Sequence, residues 1–263
     1  MKPHKLVLCT AFLIVSSLAQ AAFVTVMNGS HDVINGNRPW HMGLTGLGHH
    51  ATLRPDSNAG WSAALAGGGP IIVEQRGADR ADVAAVTNFV SNGGRLIVLG
   101  GFNHNSGQQL LDALFGVDSV YSGVFYGQTY AQTSNAAGTT FADDPAQLHA
   151  VSSSHPIVAN PPPGAEVFYE LAPGKPIVFG GTLGAGDIFH IGFDFYGGAP
   201  SRVNDWYQVL DSAITFGSGP AAQSLVVSPV PEPGVYITAS SLLGIGLVAL
   251  RRYPRSKRGE RRR

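Results

Sequence analysis

Three groups of side chains in this sequence could act on a substrate or hold an ion. His41, His49 and His50 share a glycine-rich segment with Asp32 and Asp56, and imidazoles bind zinc or copper where two or three converge. Their spacing matches no metal motif. Adjacent histidines on a strand point to opposite sides, so His49 and His50 need different partners. Asn103, His104 and Ser106 follow the apolar run Arg95-Leu96-Ile97-Val98-Leu99. A loop at the carboxyl end of a parallel strand is where open α/β sheets bind ligands, because helix N-termini converge there. Asn103 and His104, with Asp194 as a third member, are therefore the candidate site for a small polar ligand. The plainer alternative is that Asn103 and the glycines make a turn and His104 is solvated. Asn103-His104-Asn105-Ser106-Gly107 is not the Gly-x-Ser-x-Gly elbow that strains a serine toward its base, so Ser106 is not assigned as a nucleophile. Tyr121, Phe125, Tyr126 and Tyr130 cluster with Ser122, Gly123, Gly127, Gln128 and Gln132. Such a stretch either stacks sugar rings and bonds their hydroxyls or forms edge strands whose aromatics pack. Gly43 to Gly48 is glycine-rich but follows no clear strand, and is read as a loop rather than a phosphate cradle.

The elements that must position these groups alternate between short β-branched runs and helical patterns, which predicts an α/β fold with an open, mostly parallel sheet and helices on both faces. Strands are expected at Phe23–Met27, Pro70–Glu74, Arg95–Leu99, Val167–Leu171, Pro176–Phe179 and Ile188–Phe193. Asp79 is expected to cap a helix whose apolar face is Val83, Val86, Phe89 and Val90. Asn92-Gly93-Gly94 should end it, glycine supplying positive φ. Gln108–Phe115 reads as a helix with Leu110, Leu111 and Leu114 inward. The last helix, Val203–Phe216, buries Trp206, Val209, Leu210, Ala213 and Ile214. His155-Pro156-Ile157 starts a turn or helix, Asp187 enters a strand in hairpin fashion, and Gln132 to Asp144 is a long surface loop.

Three stretches carry a family resemblance: Val86 to Gly100, His155-Pro156-Ile157, and Gly186 to Asp194 ahead of the last helix. Together they resemble the flavodoxin-like, class I glutamine amidotransferase-like fold. In that superfamily's enzymes a cysteine nucleophile occupies the turn after the central strand, with a histidine base further along. Here the turn reads Gly100-Gly101-Phe102-Asn103-His104, and the chain's single cysteine is Cys9. The resemblance therefore implies the fold without the amidotransferase mechanism, and no catalytic residue, metal or cofactor is assigned.

The two ends read as addresses. Lys2 and Lys5 precede an apolar stretch from Leu6 to Leu18 and the small-x-small triplet Ala19-Gln20-Ala21, the pattern of a secretory signal peptide over residues 1–21 that leaves Ala22 first. At the other end Val230-Pro231-Glu232-Pro233 precedes an uncharged run from Val235 to Leu250. As a helix that run spans about 24 Å, close to a bilayer's apolar thickness once flanking groups snorkel. Arg251 and Arg252 open a tail with eight cations against the single acid Glu260, which keeps this end cytoplasmic. Between the ends lie a domain over residues 22–217 and a Gly, Pro, Ala and Ser-rich linker over 218–229. Without Lys2, Lys5 and the tail cations, seven cations remain; without Glu232 and Glu260, fifteen acids remain, a net charge of about −8. That excess argues against nucleic acid and anionic membrane surfaces as partners.

The order of Pro-Glu-Pro motif, apolar run and cationic stop over residues 230–263 resembles the PEP-CTERM sorting signal of Gram-negative bacteria. The resemblance implies signal peptidase and exosortase as processing partners, a precursor anchored in the inner membrane, and a mature form at the cell envelope or outside the cell. It also implies an association with exopolysaccharide, which such sorting systems accompany. The expected function is that of a non-enzymatic envelope or matrix protein. The alternatives are an extracellular hydrolase or a periplasmic small-ligand-binding protein using the loop over residues 100–107. Mass spectrometry of the exported protein should find an amino-terminal peptide beginning at Ala22.

Overall fold

A computed structural model describes residues 21–28, 39–74, 77–100, 106–116, 120–121, 128–150, 157–158, 164–193, 195 and 200–217. The chain divides into two compact units, Met1–Gly219 and Pro220–Arg263, and all described residues belong to the first. Residues 1–20 of the expected signal peptide over 1–21, the linker and the whole sorting signal lie outside them. No helix among the described residues is long and apolar enough to cross a membrane.

The first unit is a mixed α/β fold around one large sheet. In chain order its elements are β1 (Phe23–Asn28), α1 (Pro39–Gly46), β2 (His50–Pro55), α2 (Asn58–Ala66), β3 (Ile71–Val73), α3 (Val83–Ser91), β4 (Arg95–Leu99) and α4 (Ser106–Phe115). Then come β5 (Val120–Tyr121), β6 (Thr129–Gln132), β7 (Gln147–His149), β8 (Ile157–Val158), β9 (Glu166–Glu170), β10 (Pro176–Leu183), β11 (Gly186–Ile191) and α5 (Pro200–Thr215). The nine-stranded sheet has the order β2-β1-β3-β4-β11-β10-β9-β6-β7, and β5 pairs with β8 separately.

The expectation of a mostly parallel sheet is corrected. β2, β1, β3, β4 and β11 pair in parallel, whereas every pairing from β11 through β10, β9 and β6 to β7 is antiparallel. The cause is local: Gly184-Ala185 closes a two-residue hairpin between β10 and β11, with Leu183 opposite Gly186, and a link that short can join only antiparallel strands.

Helices on both faces are found as expected, and strand alternation shows why. In β4, Ile97 and Leu99 join a core with Leu44 of α1 and Trp206, Val209 and Leu210 of α5. Leu96 and Val98 join the opposite core with Trp61 of α2, Val86 and Val90 of α3, and Leu110 and Leu111 of α4. A strand buried on both faces is apolar throughout, which is how β4 reads. All five residues expected to face inward from the last helix are buried.

Other expectations change. Asp82, not Asp79, caps α3, its Oδ1 accepting from the amides of Ala84 and Ala85 at 3.0 and 3.3 Å. Val83 in the helix's first turn is exposed, and the buried face is carried by Val86 and Val90. Gly43 lies in α1 rather than in a loop, and Ile157 begins the short strand β8 rather than a turn or helix. Gln132 to Asp144 is not a featureless surface loop: Ser134–Ala136 and Thr140–Asp143 form 3-10 turns that bury Ala136 and Phe141, with Phe141 stacked on Phe168 at 4.1 Å.

Arg95 fastens the covering helix to the sheet. Its Nη2 donates to Asp187 Oδ2 at 2.8 Å and also to the Phe216 carbonyl, its Nε donates to the same carboxylate oxygen at 3.3 Å, and its Nη1 to the Ile214 carbonyl at 2.6 Å. One guanidinium thus links the starts of β4 and β11 to the carbonyl end of α5, where positive charge is favourable. Arg95→Leu should lower the unfolding free energy by about 2–4 kcal/mol in urea titrations, and Arg95→Lys should recover less than half of it, since an ammonium lacks the planar fork.

Candidate functional site

Because β1, β3, β4 and β11 are parallel and in register, their carboxyl ends share one edge, with Met27 opposite Val73, Val73 opposite Val98, and Ile191 opposite Leu99. The turn over residues 77–80 and the first turns of α3 and α4 border an open-sided cavity of about 420 Å³ there, its lining including Ala78, Asp79, Val83, Ser106, Gln109 and Leu110. It holds one carboxylate, one hydroxyl and one amide. Asn103, His104 and Asp194 lie outside the described residues. Ser106 is described: it opens α4 and is buried.

Two backbone features shape the edge. The Gly100 amide donates to the Ile191 carbonyl at 2.6 Å, and a Cβ at Gly100 would stand 2.7 Å from the Gly192 α-carbon. A side chain at Gly100 would force one of these two backbones to shift. Beyond β11, Phe195 is buried with φ of +57°, its ring 4.6 Å from Phe193 and 5.2 Å from Tyr207. A bulky side chain in the left-handed region carries strain of about 1–3 kcal/mol, here held in place by packing, and it is immediately next to Asp194.

A second polar cluster was not expected. It sits where the 3-10 turn Thr140–Asp143 meets α5. Thr140 Oγ1 donates to the Ser212 carbonyl at 2.7 Å, and Ser212 Oγ lies 2.9 Å from both the Thr140 carbonyl and Asp144 Oδ1. A hydroxyl has one proton for these two acceptors; a protonated Asp144 supplies the second. Burial agrees, pushing the Asp144 carboxyl up to about 7 despite the Ser212 bond, with Asp211 and Asp143 adding to the rise. Burial likewise raises the Tyr169 hydroxyl, which donates to the Pro145 carbonyl at 2.7 Å.

The histidines do not converge. His49 is buried, its Nε2 2.7 Å from Asp211 Oδ1, while its Nδ1 accepts from the Ala22 amide at 3.2 Å. His50 stacks on Phe23 at 5.1 Å and is exposed, so the pair does take separate partners. The side chain of His41 and all of Asp32 lie outside the described residues. Asp56 is engaged structurally, accepting from Trp61 Nε1 at 2.9 Å and the Arg80 amide at 3.1 Å. Among the described residues no three His, Cys, Asp or Glu side chains gather as a metal site. His190, in β11, is fully enclosed, and burial lowers its imidazole to about 3. Tyr130 cannot stack a sugar: it is completely buried, 6.0 Å from Trp206. Phe125 and Tyr126 lie outside the described residues, as does the side chain of Tyr121. A shallow groove of about 560 Å³ between α2 and α3 is lined by uncharged groups, among them Asn88, Phe89 and Asn92.

No protein-family model matches the chain, and no curated protein is significantly similar to it. Solved structures do resemble it. A cytoplasmic protein of Salmonella typhimurium LT2, STM1381, superposes with a TM-score of 0.52 at 14% identity over 66% of this chain and 84% of that one. A Thermoplasma acidophilum protein assigned as a GMP synthase component gives 0.49 at 14% identity, and a ThuA-like protein of Bacteroides uniformis gives 0.48 at 12%. Each of these two covers 74% of this chain and 93% of its own. The Salmonella likeness shows the mixed α/β fold and extends no further.

Asp144 and His190 make opposite contributions to stability with pH. The Asp144 carboxyl, raised from 3.8 to about 7, stabilises the fold fully below pH 3.8, and that contribution is lost as pH rises through 7. The His190 imidazole, lowered from 6.5 to about 3, stabilises it above pH 6.5, and that contribution is lost as pH falls toward 3. Over pH 4 to 6.5 the slopes oppose each other. Asp144→Asn should therefore gain on the wild type by about 2 kcal/mol between pH 4.5 and 8, measured as the difference in urea unfolding free energy.

Proposed function

We propose that this chain is an exported cell-envelope protein, sorted by exosortase through residues 230–263, whose domain is a class I glutamine amidotransferase-like scaffold without the catalytic cysteine. The fold supports the scaffold reading. α4 follows β4 in chain order, and the residues between them hold the position where the superfamily's enzymes carry their nucleophile. One observation carries the non-enzymatic part: the only cysteine, Cys9, lies in the segment read as the leader. The mature chain then has no thiol for acyl transfer. Its role becomes that of a surface or matrix component associated with exopolysaccharide, and its excess of acidic groups suits a soluble face outside the cell.

A second reading, an extracellular hydrolase or small-ligand-binding protein, is favoured by the cavity at the carboxyl edge. Asp79, Ser106 and Gln109 line it, and Asn103 and His104 shortly precede Ser106 in the sequence. Co-sedimentation of the exported protein with its host's exopolysaccharide, beside an Asn103→Ala, His104→Ala double variant, separates the two. Saturable binding that weakens about tenfold or more in the variant supports a glycan site on this edge. Failure of both proteins to bind sinks the matrix reading, and turnover assays with glycans and peptides then test the second.

A further inference from the structure

The amino-terminal edge of the domain holds a relay that the function above does not use. His49 is almost completely enclosed and bridges two elements far apart in sequence, with Asp211 of α5 on its Nε2 at 2.7 Å and the backbone nitrogen of Ala22 on its Nδ1 at 3.2 Å. An amide donating to Nδ1 requires a lone pair there, so the ring is neutral, with its proton on Nε2 directed at the Asp211 carboxylate. The Ala22 carbonyl is also engaged, accepting from the His50 amide at 2.9 Å, and the ladder continues with Phe23 opposite His50. β1 itself is an interior strand, between β2 and β3.

Ala22 is the residue that leader removal would expose. Cleavage of the Ala21–Ala22 bond turns its amide nitrogen into an α-ammonium. The same contact then becomes a charge-assisted hydrogen bond from a cation to a neutral imidazole, whose other nitrogen faces a carboxylate. We propose that the free amino group of Ala22 is a built-in ligand of the His49–Asp211 pair, and that leader removal precedes the closing of β1 into the sheet. The second half follows from access. A leader-removing protease must hold the scissile peptide extended and exposed, but in the folded domain both backbone groups of Ala22 are bonded and the residues after it are locked between two strands. Freeing them means withdrawing an interior strand whose Val24 and Val26 are buried. Processing then acts as a checkpoint: the chain emerges, is cut, and only afterwards seals its own terminus. The inference rests on the reading that this chain is exported and cut after Ala21.

Two measurements test it, and a third separates it from that reading. Residues 22–263 in mild detergent, released from a fusion so that Ala22 carries a free amine, should melt about 2–4 °C above the same chain acetylated at Ala22. The gap should narrow in Asp211→Asn, a change at a partly exposed position that removes the counter-charge and leaves the contact of the amine with His49 Nδ1 in place. Equal melting of the free and acetylated forms, or a gap unchanged in Asp211→Asn, overturns the seating of the amine. Folded full-length precursor given to signal peptidase in detergent should be cut about tenfold or more slowly than precursor presented in urea and diluted at the start of the reaction; equal rates overturn the checkpoint. Amino-terminal sequencing of the exported protein independently reads whether cleavage falls after Ala21. A different terminus refutes the export reading at that bond, whatever the melting experiments give.

Discussion

A single guanidinium sets the alignment of sheet and covering helix. Arg95 stands at the start of β4, beside the start of β11, and reaches the last carbonyls of α5. The helix that buries Trp206, Val209, Leu210, Ala213 and Ile214 over one face is therefore fixed at its carbonyl end by the two central strands it covers. Helix packing alone leaves some freedom to slide along a sheet of β-branched side chains. A charge bound at once to a carboxylate and to helix carbonyls removes it. Everything on that face inherits the resulting register: Ser212 meets Thr140 and Asp144, Asp211 meets His49, and Trp206 donates to the His149 carbonyl.

The sheet divides the chemistry in two. Its parallel half gathers strand ends, helix starts and the cavity at one edge, as parallel strands followed by helices must. Its antiparallel half, from β10 to β7, carries the buried Tyr169 and the partly buried polar groups Gln132 and Asp144. β11 belongs to both halves. Gly192 and Phe195, the residues after it, show the tension of that position in a backbone close enough to Gly100 to exclude a side chain and in a left-handed aromatic residue.

Much of the fold was legible because burial imposes a period. α3, α4 and α5 are long enough for 3.6-residue spacing to declare itself, and β4 declares itself as a short continuous apolar run, buried on both faces. The antiparallel half was less legible. β6 and β7 are short and partly polar, and β6 finds its partner β9 across a long stretch of chain, so no local pattern marks them. One clue was present: too few residues separate Phe179 from Ile188 for a parallel crossover. The cap of α3 was misplaced because Asp79 precedes an apolar pattern; the Ala81 amide, bonded back to the Ala78 carbonyl, puts Asp79 inside a turn, and Asp82 meets the helix amides instead. Of the site, Asn103, His104 and Asp194 were nominated from strand-end logic, while the cavity's Asp79 and Gln109 carried no motif.

By itself the sequence determined the alternation of strands and helices, the apolar faces, the absence of a cysteine beyond Cys9, and the charge contrast between the ends and the domain. Each of these is a property of residues within a few positions of one another, or of composition. Only the tertiary structure decided which strands pair in which direction, that His49 joins Ala22 to Asp211, and that a carboxylate in a polar stretch is buried against Ser212. Those contacts link residues 27 to 162 positions apart. A polar side chain carries no periodic signal of the partner it will meet, since burial repeats along an element while hydrogen bonding between elements depends on how the elements are packed.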